Sequence, residues 1–107
     1  MKAIVCRAHG LPDTLVFDEW PSPTPGPGEV VISVKAASLN FPDYLIIQNK
    51  YQVKPPLPFS PGSELAGIVK EVGAGVTHVK AGDRVMAVTT YGAFALDLMF
   101  VFLSSDI

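Results

Sequence analysis

Four polar side chains in the middle of the chain have the chemistry needed to hold and polarise a small molecule. They are an amide, a carboxylate, a phenol and a hydroxyl, at Asn40, Asp43, Tyr51 and Ser63. Amides, phenols and hydroxyls donate hydrogen bonds, and such donors stabilise negative charge that develops on a substrate oxygen. A site built from such donors needs no protein nucleophile.

Each of these residues also has a structural interpretation. Asn40 precedes a predicted helix, where it would serve as a cap or turn residue. Asp43 falls in the first turn of that helix, and there a stabilising role is favoured over proton transfer. Tyr51 is equally suited to loop packing. Glu64, at the head of an apolar strand, is expected to be buried and to anchor the strand through a cation or backbone donors.

Side chains that bind zinc are scarce and scattered. The chain has one cysteine, Cys6, and two histidines, His9 and His78, none of them near the polar set. A zinc site needs several thiolate or imidazole ligands at close spacing. Cys6 is expected to be a packed strand residue, since nothing nearby in sequence would lower its pKa. We predict no metal site.

The composition is that of a single globular domain. The chain has 107 residues, of which 49% are hydrophobic and 17% charged, enough apolar residues to form a core. The formal net charge of −2 and the scattered basic residues argue against a nucleic-acid partner. The apolar run from Leu98 to Leu103 is far shorter than the roughly 20 residues that cross a bilayer. The amino-terminal apolar stretch is too short for a signal peptide, so we expect a cytoplasmic protein without membrane association.

The elements that position the polar residues are predicted to be mostly strands. Strand patterns rich in β-branched residues cover residues 2–7, 15–20, 29–38, 64–72 and 84–89. The proline-rich segment 21–28 separates two of them and is favoured as a stiff connector over a partner-binding motif. One short helix begins at Pro42, and Asn49 suits the left-handed conformation that ends such helices. Short strands at this spacing predict a mainly β fold, a small, partly open β-barrel with one or two short helices.

The glycines at 73 and 75 resemble the start of a dinucleotide-binding fingerprint. His78 stands where the third glycine would be required, and no helix is predicted to follow. We therefore predict a turn at Gly73–Gly75. The sequence offers no other glycine loop that opens a helix to bind phosphates.

Several stretches of sequence together carry a family pattern. They are Met1–Cys6, Pro25–Val30, Asn40–Asp43, Lys54–Gly62, Pro61–Val69 and Lys80–Met86. In combination they resemble the N-terminal GroES-like (catalytic) domain of the zinc-independent NADPH:quinone oxidoreductases, in the medium-chain dehydrogenase/reductase superfamily. The resemblance covers about residues 1–95 and implies a GroES-like barrel.

The resemblance also implies roles for the polar residues. In zinc-dependent relatives of the superfamily, the positions that match Asn40 and Ser63 hold a cysteine and a histidine ligand, so their replacement here implies a zinc-independent site. Asn40 matches the family's asparagine near the nicotinamide, which implies NADPH as cofactor, with Asp43 beside it in the cofactor-binding set. Tyr51 matches a tyrosine at the mouth of the substrate pocket, and Ser63 adds a hydroxyl there. The implied substrate is a small-molecule quinone or enone.

The resemblance divides the chain at residue 95. Residues 1–95 are expected to form the GroES-like domain and residues 96–107 an atypical tail, with the nucleotide-binding Rossmann domain absent. Two classes of function follow. The first is the substrate-binding and catalytic lobe of an NADPH-dependent quinone or enone oxidoreductase, truncated and inactive alone. The second is a non-enzymatic binding module or regulatory form that packs on a partner chain. The apolar carboxyl-terminal run makes a homo-oligomer possible.

Overall fold

The computed structural model describes residues 1–101, and it is mainly β. Its elements are β1 (Lys2–Val5), β2 (Val16–Glu19), β3 (Glu29–Ala37), β4 (Glu64–Val72), β5 (Arg84–Val88) and β6 (Asp97–Val101), with a 3-10 turn at Pro12–Thr14 and one helix, α1 (Phe41–Ile46). The predicted mainly β, partly open barrel is confirmed. No helix within these residues is long and apolar enough to span a membrane.

The strands form two antiparallel sheets. β1 and β2 make a two-stranded sheet, and the larger sheet has the order β5-β4-β3-β6. The sheets are joined where Ala3 bridges to Ala95 and where the Ile4 N–H donates to the Phe94 carbonyl at 2.8 Å. Because β5 and β6 lie at opposite edges of the larger sheet, the barrel is only partly closed.

The main core lies on one face of the larger sheet. Along β4, Leu65, Gly67 and Val69 are buried while Glu64 and Lys70 are exposed, as expected from strand alternation. Burying a side chain of this size stabilises the fold by about 1.5–3 kcal/mol. The buried residues of this core are Val30, Ile32, Leu65, Val69, Val85, Ala87, Ala93 and Leu98.

A second apolar cluster fixes α1 against the N-terminal strand. It contains Cys6, Ile46, Ile47 and Phe59, all buried. Backbone hydrogen bonds in both directions join Cys6 to Phe59, at 2.7 and 3.1 Å, so the proline-rich loop is held to the end of β1. The helix is therefore positioned by the cluster rather than by its own short length.

The turns follow the predictions. Gly73–Gly75 lies in a turn after β4, and Gly75 has φ +83°. Asn49 has φ 60°, the left-handed conformation expected beyond the end of α1. The segment 21–28 is an irregular connector between β2 and β3.

The larger sheet extends past residue 95, where the sequence suggested an atypical tail. Residues 97–101 form β6, which pairs antiparallel with β3 from Glu29↔Val101 to Ser33↔Asp97. Lys70 of β4 reaches across β3 to Asp97, with 2.8 Å between Nζ and Oδ2. The remainder of the predicted tail, 102–107, lies outside the described residues.

Candidate functional site

One end of the larger sheet brings Asn40 and Ser63 to the same region. β3 ends there, β4 begins there and β5 ends there, because Ala37 pairs with Leu65 and Glu64 pairs with Val88. Asn40 follows β3 by three residues, and Ser63 directly precedes β4. The antiparallel register therefore gathers two of the four predicted site residues at one edge.

A hydrogen-bond network ties Asn40 to the first residue of β4. Asn40 Nδ2 donates to Ser38 Oγ at 3.0 Å, and Ser38 Oγ donates to Glu64 Oε2 at 3.0 Å. The Ser38 N–H also donates to the Glu64 carbonyl at 3.2 Å. Because the carboxylate can only accept, the serine hydrogen points to Glu64 and the serine oxygen receives the amide. This orients the Asn40 amide.

Asp43 holds the backbone on the other side of Asn40. The carboxylate accepts the Asn40 N–H at 2.9 Å, and the two residues form the capping box of α1. Asp43 is only 7% exposed. Its structural interpretation, stabilisation of the helix start, accounts for this geometry, while its predicted contact with a cofactor stays a prediction.

Tyr51 lies on the second apolar cluster, next to the helix that Asn40 caps. It is half-buried and packs with Val53 and Tyr91 against the cluster's buried residues. Tyr91 in turn meets Phe59 edge-on, with ring centroids 5.8 Å apart. Both the packing and the substrate interpretation of Tyr51 are compatible with this half-buried position.

Ser63 and Glu64 lie at the β4 end of the site. Ser63 is half-buried, and its carbonyl accepts the Thr89 N–H at 2.7 Å, which closes this end of the sheet onto β5. Glu64 is exposed, so the expectation that it would be buried is wrong. The reason is strand alternation, since the next residue, Leu65, points into the core and sends Glu64 outward.

Large apolar side chains surround Asn40 at the surface. Leu39 is 82% exposed and Phe41 70% exposed, and the Phe41 ring stacks on Tyr44 at 6.3 Å. On the neighbouring edge strand, Met86 and Val88 are also exposed. Large apolar side chains gathered at a surface mark binding sites for a ligand or another protein surface.

The donor set does not fit zinc. Within residues 1–101 no three histidine, cysteine or acidic side chains come together as a metal site. Asn40 and Ser63 supply an amide and a hydroxyl, which are poor zinc ligands. The Cys6 thiol is buried and directed at the Ala8 carbonyl, at 3.3 Å, and burial raises its pKa.

The Asn40 amide has a donor to spare, whereas the described residues offer no phosphate-binding loop. One Nδ2 hydrogen of Asn40 is used by Ser38, and the second is the donor that a carbonyl or carboxamide oxygen needs. Phosphates bind at glycine loops that open a helix, whereas Gly73–Gly75 is a turn and α1 is capped by Asp43.

Sequence reasoning missed Ser38. Its hydroxyl is the link between Asn40 and Glu64, yet a serine at the end of a strand has no distinctive pattern of its own. The available signal was its position two residues before a predicted helix cap, where serine hydroxyls commonly bond to local groups.

The partly open barrel, with Asn40 and Ser63 at one end of its larger sheet, is the architecture of a GroES-like domain of the dehydrogenase type. Residues 26–96 match the family model described as the alcohol dehydrogenase GroES-like domain. The chain belongs to this family. The predicted GroES-like domain is thus confirmed.

Curated relatives and solved structures agree with this assignment. Quinone oxidoreductase-like protein 2 of Rattus norvegicus is 44% identical over 94 residues, which are 88% of this chain and 26% of the relative. Human synaptic vesicle membrane protein VAT-1 homolog is 40% identical, over 86% of this chain and 24% of the relative. Escherichia coli quinone oxidoreductase complexed with NADPH has a TM-score of 0.87 and 37% identity, over 94% of this chain and 31% of that chain. The chain thus spans about a quarter of the curated relatives.

Proposed function

We propose that this chain is the substrate-binding lobe of an NADPH-dependent oxidoreductase that reduces a quinone or enone. The observation that carries the proposal is the Asn40 amide, oriented by Ser38 at the open end of the sheet and flanked by exposed Leu39 and Phe41. The similarity to a quinone oxidoreductase complexed with NADPH supports the same reaction class.

The bound nicotinamide would supply the hydride, and the chain's own residues would orient the acceptor. The second Nδ2 hydrogen of Asn40 would donate to the oxygen that gains negative charge. Leu39 and Phe41 would exclude water from that oxygen, which strengthens the hydrogen bond. Tyr51 and Ser63 are the proposed further contacts to the substrate.

The reaction proposed needs no metal, because hydride transfer to a polarised carbonyl is supported by hydrogen-bond donors alone. We also propose a cytoplasmic location. The isolated chain is expected to bind NADPH weakly and to show no turnover, since residues 1–101 contain no glycine loop leading into a helix.

Replacement of a whole domain tests this function. The matching segment of Escherichia coli quinone oxidoreductase, aligned over 94% of this chain, is exchanged for this chain, and NADPH oxidation by a benzoquinone is measured. We expect the chimera to reduce the quinone. A chimera that is folded and binds NADPH, yet transfers no hydride, would contradict the proposal.

Two variants separate the amide from the helix cap. Asn40→Asp and Asn40→Ser both keep a good N-cap residue but remove the Nδ2 donor. The matched control is Gln48→Glu, an amide-to-acid change at Gln48, whose side chain donates to the Tyr44 carbonyl. We expect about a 100-fold loss of kcat/KM in the Asn40 variants and little loss in the control.

A binding module that packs on a partner chain is the second candidate. Met86 and Val88 favour it, because they are 66% and 72% exposed on the edge strand β5 and such surfaces commonly mark interfaces. A second copy of the chain is one such partner. An inactive, NADPH-binding chimera together with a stable dimer of the isolated chain would favour this class.

A further inference from the structure

The strand β5 is an open edge of the larger sheet. It pairs with β4 on one side and with no described strand on the other. The opposite edge strand, β6, is partly covered, because the Asp97 N–H donates to Met1 Sδ at 3.3 Å. An open edge strand is a template for pairing with another strand unless proline or an inward-facing charge blocks it. β5 has neither, since it contains no proline and its inward residues, Val85 and Ala87, are apolar.

The backbone groups of three β5 residues point away from β4. The Thr89 N–H donates to the Ser63 carbonyl at 2.7 Å, and the register from there back along β5 has no shift. In an antiparallel pair the residues bonded to the neighbouring strand alternate with residues whose N–H and C=O groups face outward. Within residues 1–101 no hydrogen bond engages the outward groups. The outward-facing residues are Arg84, Met86 and Val88.

The side chains on the outer face of β5 are also suited to an interface. Met86 and Val88 are largely exposed there, and Arg84 completes the same face. Exposed apolar side chains beside open backbone groups let a second strand gain hydrogen bonds and bury apolar surface in one contact. The edge of β5 therefore has both components of a strand-pairing interface.

We propose that β5 pairs antiparallel with β5 of a second copy of this chain, around a two-fold axis at Met86. Met86 then lies opposite its own counterpart, and Arg84 lies opposite Val88 of the second copy. The three outward residues of each strand exchange about six backbone hydrogen bonds across the axis. Such an interface uses the same surface on both copies, as two-fold dimers do. It joins the two four-stranded sheets into one.

The charges along the edge favour a second copy as the partner. Val88 is paired with Glu64 of β4, so the proposed register places Arg84 of one copy in line with Glu64 of the other, with only Val88 between them. A salt bridge from β4 to β6 already spans two strands in this sheet. Arg84 has no ion pair within residues 1–101. Ser38 uses only Oε2 of Glu64, which leaves Oε1 to accept. The two-fold axis forms this pair twice.

Sedimentation velocity of the 107-residue chain tests for the dimer. The chain is measured from about 1 μM to about 1 mM, the range that covers weak complexes with small interfaces. We expect a reversible change from monomer to dimer with rising concentration. The dimer belongs to the second candidate function and is measured without NADPH or substrate. A chain that stays monomeric throughout would overturn this proposal and leave the proposed reaction untouched.

Amide hydrogen exchange, followed by NMR, locates the interface. When about 90% of the chain is dimeric, the outward N–H groups should exchange about tenfold more slowly than in the monomer. The N–H groups of Val85 and Ala87, which face β4, should change little. A dimer that forms without slower exchange at residues 84, 86 and 88 uses another surface and would overturn the proposed pairing.

A matched pair of methionine variants tests the axis. Met86→Lys places two ammonium groups opposite each other and removes apolar contact, so the Kd of the dimer should rise about tenfold. Met99→Lys, at an exposed methionine of the other edge strand, should leave the Kd unchanged. Folding of both variants is checked by circular dichroism. An unchanged Kd in Met86→Lys, or an equal rise in Met99→Lys, would overturn the proposal.

A charge exchange tests the register. Arg84→Glu places a carboxylate in line with Glu64 of the second copy and should raise the Kd about threefold, the range of an exposed ion pair. Adding Glu64→Arg restores opposite charges and should return the Kd close to that of the unaltered chain. A double variant that dimerises no more tightly than Arg84→Glu alone would overturn the proposed register.

Discussion

The Asn40 side-chain amide donates to the Ser38 hydroxyl across 3.0 Å. The two residues belong to the short link between β3 and α1, and Ser38 is held in turn by Glu64 at the start of β4. The catalytic candidate is thus positioned by the sheet rather than by its own loop. A residue that acts through another in this way affects orientation more than binding.

Ser38 is expected to position Asn40. In the chimera, Ser38→Ala should lower kcat about tenfold, with little change in KM for NADPH, because the amide loses its orienting partner. Ser38→Thr keeps the hydroxyl and should restore most of the rate. Equal kcat values for Ser38→Ala and the parent chimera would contradict the proposed role of Ser38 in orienting Asn40.

Gly67 is the one glycine within the described strands, and we expect it not to tolerate a side chain. A Cβ there would collide with the backbone oxygen of Ser33 on β3, which cannot move without breaking the strand pairing. Gly67→Ala should therefore lower the free energy of unfolding by about 2–3 kcal/mol, measured by urea denaturation.

Gly75→Ala is the matched control for that substitution. Gly75 has φ +83° but open space around it, so only backbone strain is added. The expected loss is about 1 kcal/mol. If Gly75→Ala lowers the free energy of unfolding as much as Gly67→Ala does, the close approach of Gly67 to Ser33 is not the reason for the loss at Gly67.

Ser60 is expected to weaken the fold. Its side chain is buried, at 2% exposure, and Oγ has no hydrogen-bond partner among the described residues. Ser60→Ala removes the unsatisfied hydroxyl and should raise the free energy of unfolding by about 1 kcal/mol. Ser22→Ala, at an exposed serine, should change it by less than about 0.5 kcal/mol. Destabilisation by Ser60→Ala would indicate a partner for the hydroxyl.

Asp83 is expected to make stability depend on acid pH. The Lys80 backbone N–H and then the Lys80 ammonium lower the pKa of the Asp83 carboxyl. A carboxyl whose pKa is lower when folded stabilises the fold above its unfolded value of about 3.9, and this contribution is lost as pH falls through the folded pKa. Asp83→Asn should thus reduce stability at neutral pH and flatten its decline below about pH 4.

A matched acid tests that assignment. Asp13 is exposed in the 3-10 turn and accepts no hydrogen bond from the described residues. Asp13→Asn should leave the pH dependence of the urea midpoint almost unchanged. If Asp13→Asn and Asp83→Asn flatten the curve equally, local contacts at Asp83 are not the cause.

Strands with a strong local pattern were predictable from the sequence. The run 64–72 is rich in apolar and β-branched residues, and it matches β4 to the residue. β6 was missed, because residues 97–101 become a strand through pairing with β3, a contact distant in sequence. Local patterns carry no information about which distant edge is available for pairing.

The sequence named candidate residues for the site but not the connections between them. Asn40 and Ser63 share one end of the sheet only through the register of β3 with β4, which the sequence does not state. The burial of Glu64 was misjudged although alternation with Leu65 could have corrected it. The hydroxyl bridge at Ser38 depends on three-dimensional contacts and had no adequate sequence signal.

The most direct test of the proposed function is the rate of NADPH oxidation by a benzoquinone in the chimera, compared with its Asn40→Asp variant. The predicted result is quinone reduction by the chimera and about a 100-fold lower kcat/KM in the variant, with no turnover by the isolated chain. Equal rates in the chimera and in Asn40→Asp, with both proteins folded, would contradict the role assigned to Asn40 and the function built on it.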